Sequence, residues 1–344
     1  MSFGTWIGFV AFFLSLFVLW QIRQLLLLIF TAVVIATSLN ILVEKFCRKG
    51  LKRGYGVTLA ILTLLGFGIL FFQIVIPPFI SQFQELAALI PQGIERLEVW
   101  LDFLLSRLDP EIIIYLPDTE EITEQIQPII NQFLGGGLLF FYSSLGALLS
   151  SLLLLVLSLM LLAEPEPYRQ GFIRLFPAFY RQRVALILVK CDRALRGWLV
   201  GILFNMLVIS ILSFISLLIL RIPLALAQAL LAGALTFIPN VGPTISVLSP
   251  MAIALLDDPW KSLAVLILYT IIQQVESNIL TPLVMSQKVS LLPAITLLSQ
   301  IFFATFFGFL GLLLALPLTV VGQVWIKEVL VKDILDRCRS IKQK

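Results

Sequence analysis

From Phe3 to Val43 the chain carries a single ionisable side chain, Arg23. Apolar runs of this length leave few folds open. A bilayer core about 30 Å thick needs roughly 20 apolar residues to cross as a helix. Lipid supplies no water to bond exposed N–H and C=O groups, so backbone inside it must satisfy itself. A chain built of such runs is expected to be an all-α integral membrane protein. Arg23, flanked by Gln21 and Gln24, divides the first run into two spans, about 5–20 and 25–43. Met1 to Thr5 holds no basic residue and no small-residue cleavage site follows, so the first run reads as a retained span, not a signal peptide. Composition agrees: 60% of residues are hydrophobic and 13% charged, with a mean hydropathy of +1.04, far from the average soluble domain.

The rest of the chain alternates between apolar spans and charged connections. Lys45, Arg48, Lys49, Lys52 and Arg53 follow the second span, and a third runs from about 56 to 77. Residues 81–134 differ in character, with ten acidic residues against Arg96 and Arg107. Leu86, Ile90, Ile94, Leu97, Leu101, Leu104 and Leu108 recur there at three and four, the stripe of an amphipathic helix. A second helix starts near Asp118 and buries Ile122, Ile126, Ile129 and Phe133. This segment either packs as a hairpin on its own protomer or joins copies into a homo-oligomer. Gly135-Gly136-Gly137 opens a fourth span, about 138–163, and a basic amphipathic stretch from Arg169 to Arg196 leads to a fifth, about 198–220.

Shorter apolar pieces follow at 223–238, 244–256, 260–280, 294–307 and 311–327. The pairs 223–238/244–256 and 294–307/311–327 are each a re-entrant hairpin or two short crossings, which periodicity does not decide. The expected organisation is spans one to three (1–80), an acidic extracytoplasmic segment (81–134), span four (135–163), a basic cytoplasmic segment (164–197), a core of broken helices (198–330) and a basic tail (331–344). Basic loops face the cytoplasm, which puts both termini inside a bacterial-type cell (inner) membrane. Cys47, Cys191 and Cys338 then lie in cytoplasmic segments, where thiols stay reduced.

The chain has no histidine. Triad hydrolysis, Cys-His catalysis, His-ligated metals and imidazole proton relays are excluded. The cysteines lack ligand spacing and no phosphate-binding loop is present, so no enzyme activity, metal, cofactor or nucleic acid is expected. Two features point to transport. Within Phe237-Ile238-Pro239-Asn240-Val241-Gly242-Pro243, the two prolines remove N–H groups and break any helix, while Gly242 permits close backbone turning. Broken helices of this kind form binding sites in secondary transporters. The second feature is Glu276, in an apolar run beside Gln273, Gln274, Ser277 and Asn278, with Pro282 freeing the Asn278 carbonyl. A carboxyl at such depth is a functional candidate by default. Its alternative is the end of a helix, with Glu276 paired to a residue such as Lys288. The Pro239–Pro243 break has an alternative too, a plain turn between short spans. Gly197 and Gly201, and Gly308 and Gly311, read as helix-packing positions.

Leu195-Arg196-Gly197, Ile238-Pro239-Asn240-Val241-Gly242-Pro243, Glu276-Ser277-Asn278-Ile279-Leu280-Thr281-Pro282 with Leu292-Pro293, and Gly308-Phe309-Leu310-Gly311 leading to Ala315-Leu316-Pro317 together resemble the autoinducer-2 exporter family of PerM-like permeases. The order and spacing fit across the C-terminal half, and the N-terminal half fits in layout. Asn240 stands where many members carry an aromatic or aliphatic residue, and Leu292-Pro293 replaces a His-Pro pair. The resemblance implies about eight membrane helices, some short or re-entrant, plus an extramembrane amphipathic segment. It implies a multi-pass permease in the lipid bilayer that exports a small polar solute such as an autoinducer-2-like signal, with proton or sodium coupling. Sodium/proton exchange is the family alternative, and a scaffold acting through 81–134 is the non-transport one.

Overall fold

The computed structural model describes residues 3–71, 73–74, 77, 145–239, 241–280 and 293–336, and every regular element among them is helical. The acidic segment at 81–134, Asn240, Thr281 to Leu292 and the tail beyond Asp336 lie outside these residues. The helices are α1 (Phe3–Gln21), α2 (Arg23–Cys47), α3 (Arg53–Phe71), α4 (Leu145–Ala163), α5 (Pro165–Arg174) and α6 (Arg181–Ile219). Then come α7 (Ala225–Leu235), α8 (Val241–Ser246), α9 (Leu248–Asp257), α10 (Pro259–Val275) and α11 (Pro293–Trp325). Wider π-type turns extend α10 over Glu276–Leu280 and α11 over Ile326–Leu335. Among the described residues, five helices are long and apolar enough to cross a membrane: α2, α3, α6, and α10 and α11 with their extensions. The chain is an all-α membrane protein.

The chain divides into two compact units. One comprises Met1–Leu64, Ser150–Gly201 and Val284–Lys344. In it, Ala36, Leu39 and Val43 of α2 pack with Ala60 and Leu162, burying the inner stripe of α2. Arg53 closes the end of α4, donating from Nη2 to the Leu162 carbonyl at 3.1 Å, where a cation also meets the negative end of the helix dipole. Arg23, which separates α1 from α2, folds back over the Trp20 ring at 4.4 Å, so its charge is stacked on an aromatic face.

One element is more continuous than the sequence reading. The basic segment before residue 197 and the span after it form a single helix, α6, of 39 residues. As expected, 294–307 and 311–327 are separate helical pieces: α11 is interrupted by a kink at Gly308, whose φ of 66° and ψ of −151° break the helical geometry. Open space surrounds the position where a Gly308 side chain would project, so its requirement is the backbone angle, not helix packing. Gly311 is a packing position, because an added Cβ would stand 2.1 Å from the Phe303 carbonyl oxygen.

The second unit comprises Leu65–Leu149 and Ile202–Leu283. Its core gathers Leu217 of α6, Ala225 and Ala232 of α7, Ala254 of α9, and Val265 and Tyr269 of α10. Helix α7 rests directly on α6: a Cβ on Gly233 would lie 1.8 Å from Ser210 Oγ and 2.5 Å from the Met206 carbonyl. With 11 residues, α7 is about 16 Å long, half of what a bilayer core requires.

Candidate functional site

The Pro-Gly break is a compact turn. Helix α7 ends at Leu235 and α8 begins at Val241. The carbonyls freed by the prolines are taken up locally: Ile238 N donates to Leu235 O at 2.9 Å, and Val241 N to Pro239 O at 2.8 Å. Gly242 N then reaches back to Ile238 O at 2.8 Å. A Cβ on Gly242 would sit 1.8 Å from Leu235 O and 2.4 Å from its carbonyl carbon, so only glycine fits. Thr236, Ile238, Gly242 and Pro243 are buried. The backbone at Pro239–Pro243 therefore bonds mainly to itself, and its contribution is to hold α7 and α8 together.

Helix α10 is positioned by its start. Asp258 accepts from Trp260 N at 3.0 Å and Pro259 opens the first turn, a standard N-terminal arrangement. Ser262 Oγ donates to Met251 O at 3.0 Å and ties α10 to α9. From there the buried residues fall on one stripe: Ser262, Val265, Tyr269, Ile272 and Glu276. The spacing of three and four puts all of them on the inner face. Glu276 is thus the last member of a packed stripe, not an outward residue at a helix end, and only 6% of it is exposed. Among the described residues its Oε2 has no hydrogen-bond partner. The backbone changes from α to π geometry at this residue, a local widening that recurs at functional sites.

The neighbouring polar residues divide. Gln273 is half-buried, while Gln274, Ser277 and Asn278 are exposed. Asn278 Nδ2 donates to Gln274 Oε1 at 2.8 Å, pairing these two with each other. Lys288 and Pro282 lie outside the described residues.

Sequence reasoning did not single out three further residues on the same unit's interior. Asn205, Ile209, Ser213 and Leu217 form a buried stripe along α6 at intervals of four. Asn205 Oδ1, Ser213 Oγ and the Tyr269 hydroxyl are buried and, among the described residues, lack hydrogen-bond partners of good geometry, although Tyr269 faces Ser213. An unpaired buried polar atom costs about 1–3 kcal/mol. With Glu276, these atoms make the interior of the second unit polar at several points where lipid-facing helices would need none. Asn205 and Ser213, eight residues apart, share a helix face, but Ser210 and Ser216 lie in the same span, so sequence alone does not single them out.

In the first unit the basic segment finds acidic partners beyond the apolar part of α11. Lys190 Nζ and Lys332 Nζ each donate to Glu328 at 2.7 Å. Arg183 pairs with Glu328 and Asp333, both at 3.1 Å, and Tyr180 donates to Asp333 at 2.7 Å. The two ammonium groups hold the Glu328 carboxyl down at about 2. Arg196 donates to both oxygens of Glu44 at 2.8 Å, which makes it an anchor between α6 and α2. Gly201 is buried in α6, and Gly197 lines a cleft beside Arg196.

Known proteins resemble the chain over nearly its whole length. A family model described as "AI-2E family transporter" matches residues 7–331. "Putative transport protein YhhT" of Escherichia coli (strain K12) is 26% identical over 319 residues, covering 89% of this chain and 84% of that protein. "Putative transport protein sll0060" of Synechocystis sp. is 28% identical over 275 residues, 78% of this chain and 77% of that one. "AI-2 transport protein TqsA" of Escherichia coli (strain K12) is 33% identical over 105 residues, 30% of each chain.

Proposed function

Because this chain belongs to the AI-2E transporter family, we propose that it is a secondary transporter, exporting a small polar solute with coupling to protons or sodium, and that Glu276 is its coupling carboxylate. The observation that carries the reading is Glu276 itself: an acid buried on the inner stripe of α10, with an oxygen that no described residue bonds. An ionised carboxyl at bilayer depth costs about 3 kcal/mol on insertion scales, so such a group is retained where it does work. A carboxyl there either holds a proton or meets a cation, and exchanging one for the other across two conformations couples a gradient to solute movement.

Asn205, Ser213 and Tyr269 supply hydrogen-bonding groups for a polar solute or for water along the same interior. The Pro239–Pro243 turn fixes the hairpin that closes this unit, a structural part in the pathway rather than a source of open carbonyls. Gln273, one turn before Glu276 and half-buried, extends the polar lining by one turn, while Gln274 and Asn278 stand on the outer face of the same helix. TqsA is named for AI-2; extending that to this chain makes autoinducer-2 the first solute to test. The bacterial inner membrane, with both termini inside, is the matching location.

The test is flux into proteoliposomes holding the full chain, under imposed proton or sodium gradients, with a panel of small polar solutes that includes autoinducer-2. The reading expects at least one solute to move faster with a gradient than without. Sodium/proton exchange with no solute dependence would instead favour the antiporter alternative. No gradient-dependent flux of any solute or ion would defeat the proposal.

A further inference from the structure

A cleft of about 450 Å³ opens in the first unit, lined by Ile41 of α2 and by Lys190, Arg193, Ala194, Arg196, Gly197 and Val200 of α6. Its lining combines apolar Ile41, Ala194 and Val200 with three cationic side chains. Two of these cations are already committed, Lys190 to Glu328 and Arg196 to Glu44. Arg193 is exposed and, among the described residues, forms no ion pair.

The cleft also has a defined depth. Helix α6 carries charge up to Arg196 and none from Gly197 to Leu220, so Arg193 and Arg196 mark the level where the apolar span begins. On α6, Val200 lies deeper than Arg193 and Arg196, so apolar lining continues below the cations, the order that fits a phospholipid's phosphate above its acyl chains. On α2, Lys45 and Arg48 follow Ile41 at four and seven residues, on the same helix face. Both are exposed and form no ion pair among the described residues.

We infer that this cleft binds the headgroup of an anionic phospholipid, with Arg193 taking the phosphate and Ile41, Ala194 and Val200 taking the upper acyl chain. A soluble phosphate shares the first contact but has no use for the apolar lining. The site is separate from the Glu276 region and does not depend on what is transported.

Native mass spectrometry of the detergent-solubilised full chain, titrated with phosphatidylglycerol, phosphatidylcholine or inorganic phosphate, tests this. Wild-type protein should retain phosphatidylglycerol in preference to phosphatidylcholine. Arg193→Gln should weaken phosphatidylglycerol binding about fivefold, the effect of one basic residue at a lipid surface. Val200→Trp, which bulks up the apolar lining, should weaken it too, while Arg174→Gln on exposed α5 should not. Both cleft positions are exposed enough to keep the fold, and equal melting temperatures check that. Equal retention of the two lipids, or an Arg193→Gln protein that binds as wild type does, would overturn the assignment. Displacement of the lipid by millimolar inorganic phosphate would reassign the cleft to a soluble anion and overturn it as well.

Discussion

Single residues decide whether the second unit has a polar interior. Glu276 was legible in the sequence because an acid stands out in an apolar run. Asn205, Ser213 and Tyr269 were not, because one small polar group in a span is common and only packing shows which face it takes. Gly242 was legible as a turn residue, and the structure adds how close its backbone comes to Leu235 O, 1.8 Å from an added Cβ. Gly242→Ala should therefore lower stability by about 1–3 kcal/mol, seen as a lower melting temperature in detergent. Glu328 gives a pH-dependent prediction outside the apolar span. Its carboxyl is held at about 2, below the ordinary 4.5, by hydrogen bonds from Lys190 and Lys332. A depressed carboxyl stabilises the fold fully above its unfolded value and loses that contribution as pH falls. The melting-temperature gap between wild type and Glu328→Gln should be constant from pH 8 to about 5 and shrink as pH falls from there toward 2.

Elements were legible where length and charge agreed, and misread where they did not. Charge changes character at residue 197, yet the backbone of α6 continues through it, because one glycine costs a helix only about 1 kcal/mol and no proline intervenes. The two pieces read at 294–307 and 311–327 are there, but the kink at Gly308 that joins them is a matter of dihedral angles that composition does not encode. Gly308→Ala should cost about 1–3 kcal/mol, since φ of 66° with ψ of −151° is close to a glycine-only region. Gly322→Ala, farther along the same helix with open space around its Cβ, should instead stabilise by roughly 0.5–1 kcal/mol. Measuring both by chemical or thermal unfolding separates backbone strain from glycine loss in general. The hairpin of α7 and α8 shows the same lesson: the break was visible in Pro239 and Pro243, but its closed hydrogen bonding came only with coordinates.

At the scale of the whole molecule, an all-α membrane fold was forced by apolar run length alone, and transport followed from the matching family. What sequence left open was where the pathway runs, because helix packing within the second unit decides which polar groups share an interior. That interior combines a buried carboxyl with hydroxyl and amide oxygens that lack well-aligned partners among the described residues, and the account rests on its serving as the coupling site. The most direct measurement compares wild type with Glu276→Gln, at matched insertion and melting temperature, for solute flux under an imposed proton or sodium gradient. The account predicts that the variant keeps its fold and loses gradient-driven flux by at least tenfold, about 1.4 kcal/mol. A Glu276→Gln protein with full gradient-dependent flux would contradict it.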